Sequence, residues 1–225
     1  GTGRPEDYAT VGATGDNLKA GVGSNLIFNG NYTDSLIGTV VGWRDGGAEH
    51  FLGRNLSGYT VTGEGTAYIT QPGSNGTAVF DANILNGDQW FAITPGKRYE
   101  VSAWLNTHRC SAKVILIFYD AAGTLTGAIA GNIVTHSSSI TSIADMRQSF
   151  CIGYAPATAV KAFVIVRGLN TNQNDPYVFF SRVYFGEAGA GQTEASPWTY
   201  GRGINQITPS NVTTYIDNAT INTAQ

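Results

Sequence analysis

Ser102, Trp104 and Asn106 share one parity of the run from Pro95 to Gly123, where Tyr99, Val101, Ala103 and Leu105 alternate with Glu100, Ser102, Trp104 and Asn106. A period of two sends the apolar set into a core and the other set to the opposite face of a sheet. An indole beside a hydroxyl and an amide can stack on a sugar ring while its neighbours bind the ring's hydroxyls. The same pattern suits a tryptophan packed beneath a loop, because Ile115 and Ile117 of the following run put apolar groups on that face too. Arg167, at a strand end, suits either a clamp on a carboxylate-bearing sugar or a surface ion pair. Asn170, Asn172, Asn174 and Asp175 crowd residues 168–176, a stretch able to read hydroxyls, coordinate an ion, or simply form a solvated loop tip. Trp43 and Trp90 flank turns, as rim platforms or as satellite core.

Catalytic devices are absent from the pattern. His50, His108 and His136 are scattered, and no GxSxG, HExxH, CxxC or Walker spacing occurs. Carboxylates such as Asp45, Glu49, Glu64, Asp88 and Asp120 offer no assignable glycosidase pair. The chain therefore reads as a non-enzyme. Cys110 and Cys151, the only cysteines, fit no zinc spacing. Their strand positions suit buried free thiols, a disulfide requiring Cα atoms within about 7 Å.

The elements that must carry these residues are short strands. Of 225 residues, 42% are hydrophobic, enough for a real core, but only 13% are charged against the ~25% common in globular domains. A net charge of −3 argues against nucleic acid, and no apolar run reaches membrane length. Runs near Ser24–Tyr32, Gly58–Thr62, Thr66–Gln71, Thr77–Phe80 and Gln89–Ile93 recur about every ten residues between glycine, proline and asparagine turns. That rhythm belongs to an all-β sandwich. Tyr99 to Asn106 and the doubly apolar Val114 to Tyr119, linked by Asn106-Thr107-His108-Arg109, predict a central antiparallel hairpin. Residues 124–145 read as a long loop with one strand near Ile129 to Val134. Arg147 to Tyr154, Val160 to Arg167 and Tyr177 to Phe185 complete the strands.

The boundaries come from composition. Residues 1–23 read as an extended connector, 24–187 as the sandwich, and 188–203 as a Gly- and Ala-rich linker. In 204–225, Thr208-Pro209 opens a helix whose stripe of Val212, Tyr215, Ile216 and Ala219 lacks a core of its own and needs a partner.

Several stretches resemble known families. Asn25-Leu26-Ile27-x-Asn29-Gly30-x-Tyr32 leading to Trp43 resembles the opening of family 4/9/22-type carbohydrate-binding modules. Pro95-Gly96-x-x-Tyr99-x-x-Ser102-Ala103-Trp104, Phe118-Tyr119-Asp120-x-x-Gly123 and Ala155-Pro156-x-x-Ala159 are similar to their later signatures. Gly3-Arg4-Pro5-Glu6-Asp7-x-Ala9-Thr10-Val11-Gly12-Ala13 resembles a connector of bacteriophage tail-tip and host-specificity proteins. Ser196-Pro197-Trp198-Thr199, together with the pattern from Ile207 to Gln225, is similar to the segment after such modules in tail proteins. The resemblance implies a galactose-binding-like jelly roll of two antiparallel sheets. It further implies recognition of host cell-surface glycans at a virion tail, made in the bacterial cytoplasm, with other tail proteins and two further copies of the chain as partners. Family members often hold a structural calcium. Here Thr33 stands at the usual acidic position, with Asp34 one step later, which leaves that ion open. The alternative role is a structural spacer of the tail with no sugar ligand.

Overall fold

Alternation of apolar and polar side chains builds two packed sheets. The structure, a computed structural model, describes residues 25–27, 30, 32, 40, 43–45, 51–55, 58–71, 79–84, 90–170 and 173–199. The expected connector at 1–23, the C-terminal helix at 204–225 and Asn172 lie outside these. Eleven strands are described: β1 (Trp43–Asp45), β2 (Phe51–Asn55), β3 (Thr66–Thr70), β4 (Val79–Ile84), β5 (Phe91–Ala92), β6 (Arg98–His108), β7 (Cys110–Tyr119), β8 (Leu125–Ala130), β9 (Arg147–Tyr154), β10 (Lys161–Asn170) and β11 (Tyr177–Glu187). One sheet runs β1-β4-β10-β7-β8 with β5 paired to β10, and the other runs β2-β3-β11-β6-β9, every pairing antiparallel. The result is an all-β jelly-roll sandwich. Among the described residues no helix is long and apolar enough to cross a membrane.

The inward parity of β6 is as expected: Val101, Ala103 and Leu105 have no exposed surface. They meet Val114, Leu116 and Phe118 of β7 and Val164 and Val166 of β10 in one core. Each large side chain so buried contributes about 1.5–3 kcal/mol. Tyr32, Trp43 and Phe180 form an aromatic cluster with ring centroids 5.1–5.6 Å apart, Tyr32 edge-on to both and Trp43 tilted against Phe180, so Trp43 is core. Beside it the chain crosses so near Val183 that a Cβ on Gly30 would lie 2.5 Å from that carbonyl oxygen. Cys110 and Cys151 are free and buried, as expected. Burial pushes both thiols up to about 12.

Four expectations are corrected. β6 and β7 do not pair as a hairpin; they belong to opposite sheets. Arg109, at φ 60°, turns the chain in a single residue, and the inward positions switch from odd numbers (Val101, Ala103, Leu105) to even ones (Cys110, Ala112, Val114), so the strands face one another across the core. Gly58 to Thr62 forms a loop, because Gly58 and Tyr59 take φ values of 61° and 24° that no strand allows. Within 124–145 the strand is Leu125–Ala130, and Val134 makes one isolated bridge to Ala112. The described part of the first expected strand, Asn25 to Ile27, is extended chain held by the Leu26 N–H donating to Phe185.

Candidate functional site

The outer face of the five-stranded sheet carries the candidate site, and it divides into three zones along β6. Glu100, Ser102, Trp104, Asn106 and His108 all point outward there. A C-terminal strap covers the first zone, two loops roof the second, and the third is open.

The roof lies over Trp104. Val61 from loop 58–65, Ile140 and Met146 from loop 131–146, and Phe179 of β11 form a small outer cluster, against which Trp104, Tyr68, Ile143 and Tyr177 pack. The two loops are tied to each other: Thr60 N–H donates to Ile140 O at 3.2 Å, and the Thr62 N–H and hydroxyl both donate to Thr141 O at 2.9 Å. Asn106, 1% exposed, anchors the second loop by donating from Nδ2 to Ser138 Oγ and to Asp145 O, both at 2.9 Å. Asp145 in turn collects the N–H groups of Thr141 and Ser142 on Oδ2 at 2.9 Å, and these backbone bonds hold its carboxyl down at about 2. Ser102 is 2% exposed, opposite Phe150 on β9 and Tyr184 on β11. Trp104 and its two polar neighbours thus occupy the expected face, but Trp104 is packed beneath loops, Asn106 is engaged in hydrogen bonds and Ser102 is buried.

The open zone begins two residues beyond Asn106. A groove of about 370 Å³ is lined by Asn55, Tyr59, Tyr68, His108, Tyr177 and Phe179. Tyr177 and Phe179, alternate residues of β11, stand parallel with centroids 5.8 Å apart and 9° between planes. Tyr59 continues the row against Phe179 at 5.1 Å and 11° and is 45% exposed. Tyr68, from β3, leans on both β11 rings at 5.9 and 6.4 Å. Its ring fills the space over Gly53, where a Cβ would sit 2.5 Å from the phenol. Asn55 donates from Nδ2 to Tyr59 O at 3.3 Å, tying loop 58–65 to the end of β2. The loop's other end is held by the Arg182 guanidinium, which closes on both Glu64 oxygens at 2.7–3.1 Å. Arg182 sits in a β-bulge at φ 49°. Stacked rings bordered by an amide and an imidazole can bind a flat, hydroxyl-bearing ligand through ring contacts and hydrogen bonds.

The remaining expected residues lie elsewhere. Arg167 is on the outer face of the other sheet, in a two-pronged ion pair with Asp81, Nε to Oδ1 and Nη2 to Oδ2 both 2.7 Å. It therefore does not share a site with Trp104; of its two readings, the ion pair is realised. Of the stretch 168–176, Asn170 ends β10 opposite Cys110, and residues 173–176 lead into Tyr177, which pairs with His108 at the groove. Trp90, 37% exposed, meets Tyr119 and Phe163 edge-on at 4.4 and 5.0 Å on the six-stranded sheet. Thr33 and Asp34, on which the calcium expectation turns, are outside the described residues; among the described residues no group of three His, Cys, Asp or Glu is placed to hold a metal ion. Sequence reasoning missed Tyr59, Tyr68, Tyr177, Phe179 and Asn55. The usable signal was the outward pair Tyr177 and Phe179, spaced by two on a recognised strand.

No protein-family model and no curated protein matches the sequence. Among solved structures, the chain is similar to the enzymatically active domain of bacteriophage CBA120 tailspike protein 4, with 14% identity over 72% of this chain and a TM-score of 0.52. It spans 21% of that tailspike's length. An apo-form cyclase from Fischerella sp. matches with 13% identity, 76% of this chain, 98% of the other and a TM-score of 0.52. The xylan-binding CBM22-1 domain of Paenibacillus barcinonensis Xyn10C matches with 13% identity over 76% of this chain and 98% of its own, at 0.46. The likeness is one of fold.

Proposed function

We propose that this chain is a non-catalytic carbohydrate-binding domain that takes a glycan in the open groove at the β6–β11 end of the five-stranded sheet. One observation carries the reading: the half-exposed Tyr59 ring lies parallel to Phe179 and Tyr177, in an open groove bordered by Asn55 and His108. Sugars are held by such rings through CH contacts while polar neighbours meet the hydroxyls. Among the described residues no Asp or Glu lines the groove, and glycoside hydrolysis ordinarily requires two carboxyls. The finer reading places the domain on a phage or prophage tail, facing host surface glycans. It is supported by the tail-like sequence at residues 3–13 and 196–199. Copies joined through the apolar stripe of 204–225, as a homotrimer, would add avidity to a weak single site. A glycan-array screen of the intact chain tests the reading: retention of a glycan by the wild type and its loss in Tyr59→Ala are expected, and no retained glycan overturns it.

A second reading, a structural tail domain without a sugar ligand, draws on the aromatic cluster of exposed Trp90 with half-buried Tyr119 and Phe163 on the opposite sheet. It predicts an empty array together with loss of self-association on Trp90→Ala.

A further inference from the structure

The strap, residues 188–199, stands where the sequence suggests a loose linker, yet it is bonded to the sheet along its length. Ala188 N–H donates to Arg98 O at 3.0 Å, and the Arg98 guanidinium donates to the carbonyls of Gly189, Ala190 and Gln192. Trp198 donates from Nε1 to Val183 O at 3.2 Å and lies against Arg182, whose guanidinium carbon is 5.7 Å from the ring centre. Thr199 O accepts from Asn25 Nδ2 at 2.9 Å.

At the centre of these contacts is an acid. Glu100 points outward from β6 and is 1% exposed, sealed by the strap. Its Oε2 accepts from Gln192 Nε2 and, at 3.2 Å, from Ser196 N–H. Gln192 is itself 1% exposed and shares its amide with Ser196 Oγ and Glu194 O. Glu100 Oε1 is buried with no hydrogen-bond partner.

Among the described residues no cation offsets this carboxyl. On its own strand the same face carries Arg98, committed to strap carbonyls and the Tyr154 ring, and uncharged Ser102. Across the ladders β9 presents Ile152 opposite Glu100 and Tyr154 opposite Arg98. From β11 come Gly186 opposite Glu100, Tyr184, whose hydroxyl bonds Glu100, and Glu187, which is paired with Lys97. The strap brings Gln192, Ser196 and a further acid, Glu194. Arg182 is held by Glu64.

We propose that Glu100 is a pH-sensitive latch: the strap is fastened when this carboxyl is protonated, and ionisation releases residues 188–199 and with them the direction in which the chain leaves the sandwich. The charged form is the costly one here, since a carboxylate sealed from water without a cation loses its hydration. Burial accordingly raises the Glu100 carboxyl above its ordinary 4.5, while the bonds from Ser196, Gln192 and Tyr184 only moderate the rise. A group whose docked value is raised gives its full stabilisation below the undocked value and loses it as pH climbs through the docked one. Fastening is therefore strongest in acid and weakens toward neutrality.

The test uses the full chain labelled with 5-fluorotryptophan. The resonance of Trp198, assigned by Trp198→Phe, reports docking, and Trp43, Trp90 and Trp104 act as internal controls. Between pH 4.5 and 8 the released-to-docked ratio is expected to rise tenfold for each unit by which docking raises the Glu100 value. In Glu100→Gln, which keeps an uncharged side chain of the same shape, the Trp198 signal is expected to stay docked across that range. A pH-invariant Trp198 in the wild type, or an unchanged titration in Glu100→Gln, overturns the latch. Should Glu100→Gln fail to fold, Gln192→Ala decides. It is expected to shift Trp198 toward the released position at every pH while the controls stay fixed, and an unshifted Trp198 overturns the proposal.

Discussion

The Tyr59 ring lies 5.1 Å from that of Phe179 with 11° between their planes, although one residue belongs to a loop and the other to a central strand. The loop holds that position through Val61, which is buried under the roof, and through the Arg182–Glu64 ion pair. The outermost ring of the groove is thus preorganised by contacts that no ligand needs to make. Truncating it removes contact surface without opening the core.

Tyr59→Ala is therefore expected to abolish glycan retention while lowering stability by no more than about 1 kcal/mol, the worth of one exposed aromatic pair. Array binding and thermal melting, measured on the same preparation, check the two halves of this statement. A melt displaced as far as that of a core variant would assign Tyr59 to the fold instead.

Trp104→Ala should behave in the opposite way. Its indole packs beneath Val61, Ile140 and Met146, so removal leaves a cavity under the roof costing about 2–4 kcal/mol. Asn106→Ala removes the amide anchors of loop 131–146 from a buried position, at about 1–3 kcal/mol. Urea denaturation measures both, and a wild-type midpoint in either would contradict the packing described.

Asp145 gives the same loop an acid limit. Backbone bonds from Thr141 and Ser142 hold its carboxyl at about 2, below the ordinary 3.8. A lowered folded-state value gives stabilisation that is present above the ordinary value and lost as pH falls through the folded one. Loop 131–146 should stay protected from pepsin at pH 4 and become susceptible toward pH 2. Asp145→Asn should be cleaved equally at both.

Burial and raised ionisation leave Cys110 and Cys151 unreactive. Ellman's reagent at pH 8 should titrate neither thiol in the native chain and both in guanidinium. A rapid native reaction would mean that the sheets part locally.

Much of this was legible in the sequence, within a physical limit. Period-two alternation placed Val101, Ala103 and Leu105 inward and Trp104 outward, because side-chain direction in a strand is a local property. His108, read in the sequence as part of a polar link, continues that outward parity and lines the groove. Sheet membership was not legible. Two strands joined by a turn look alike whether they pair or cross to opposite sheets, and only the partners β11 and β9 for β6, and β10 and β8 for β7, distinguish the cases. The roof over Trp104 was equally hidden, since it depends on bonds between residues 60–62 and 140–141, far apart in the chain. Tyr59 escaped notice because Gly58 to Thr62 has strand-like composition but a backbone of positive φ.

The two innermost strands are also the last to be made. β10 lies between β4 and β7 in one sheet, and β11 between β3 and β6 in the other. Until the ribosome has passed Glu187, β3 and β6 have no strand to join them, although β6 and β7 can already face one another across part of the core. Pairings of such long sequence separation form slowly. A nascent chain of this protein is therefore committed to a long exposed interval, during which unpaired strand edges are open to neighbouring chains. The central pairings of both sheets can form only when synthesis of the sandwich is complete.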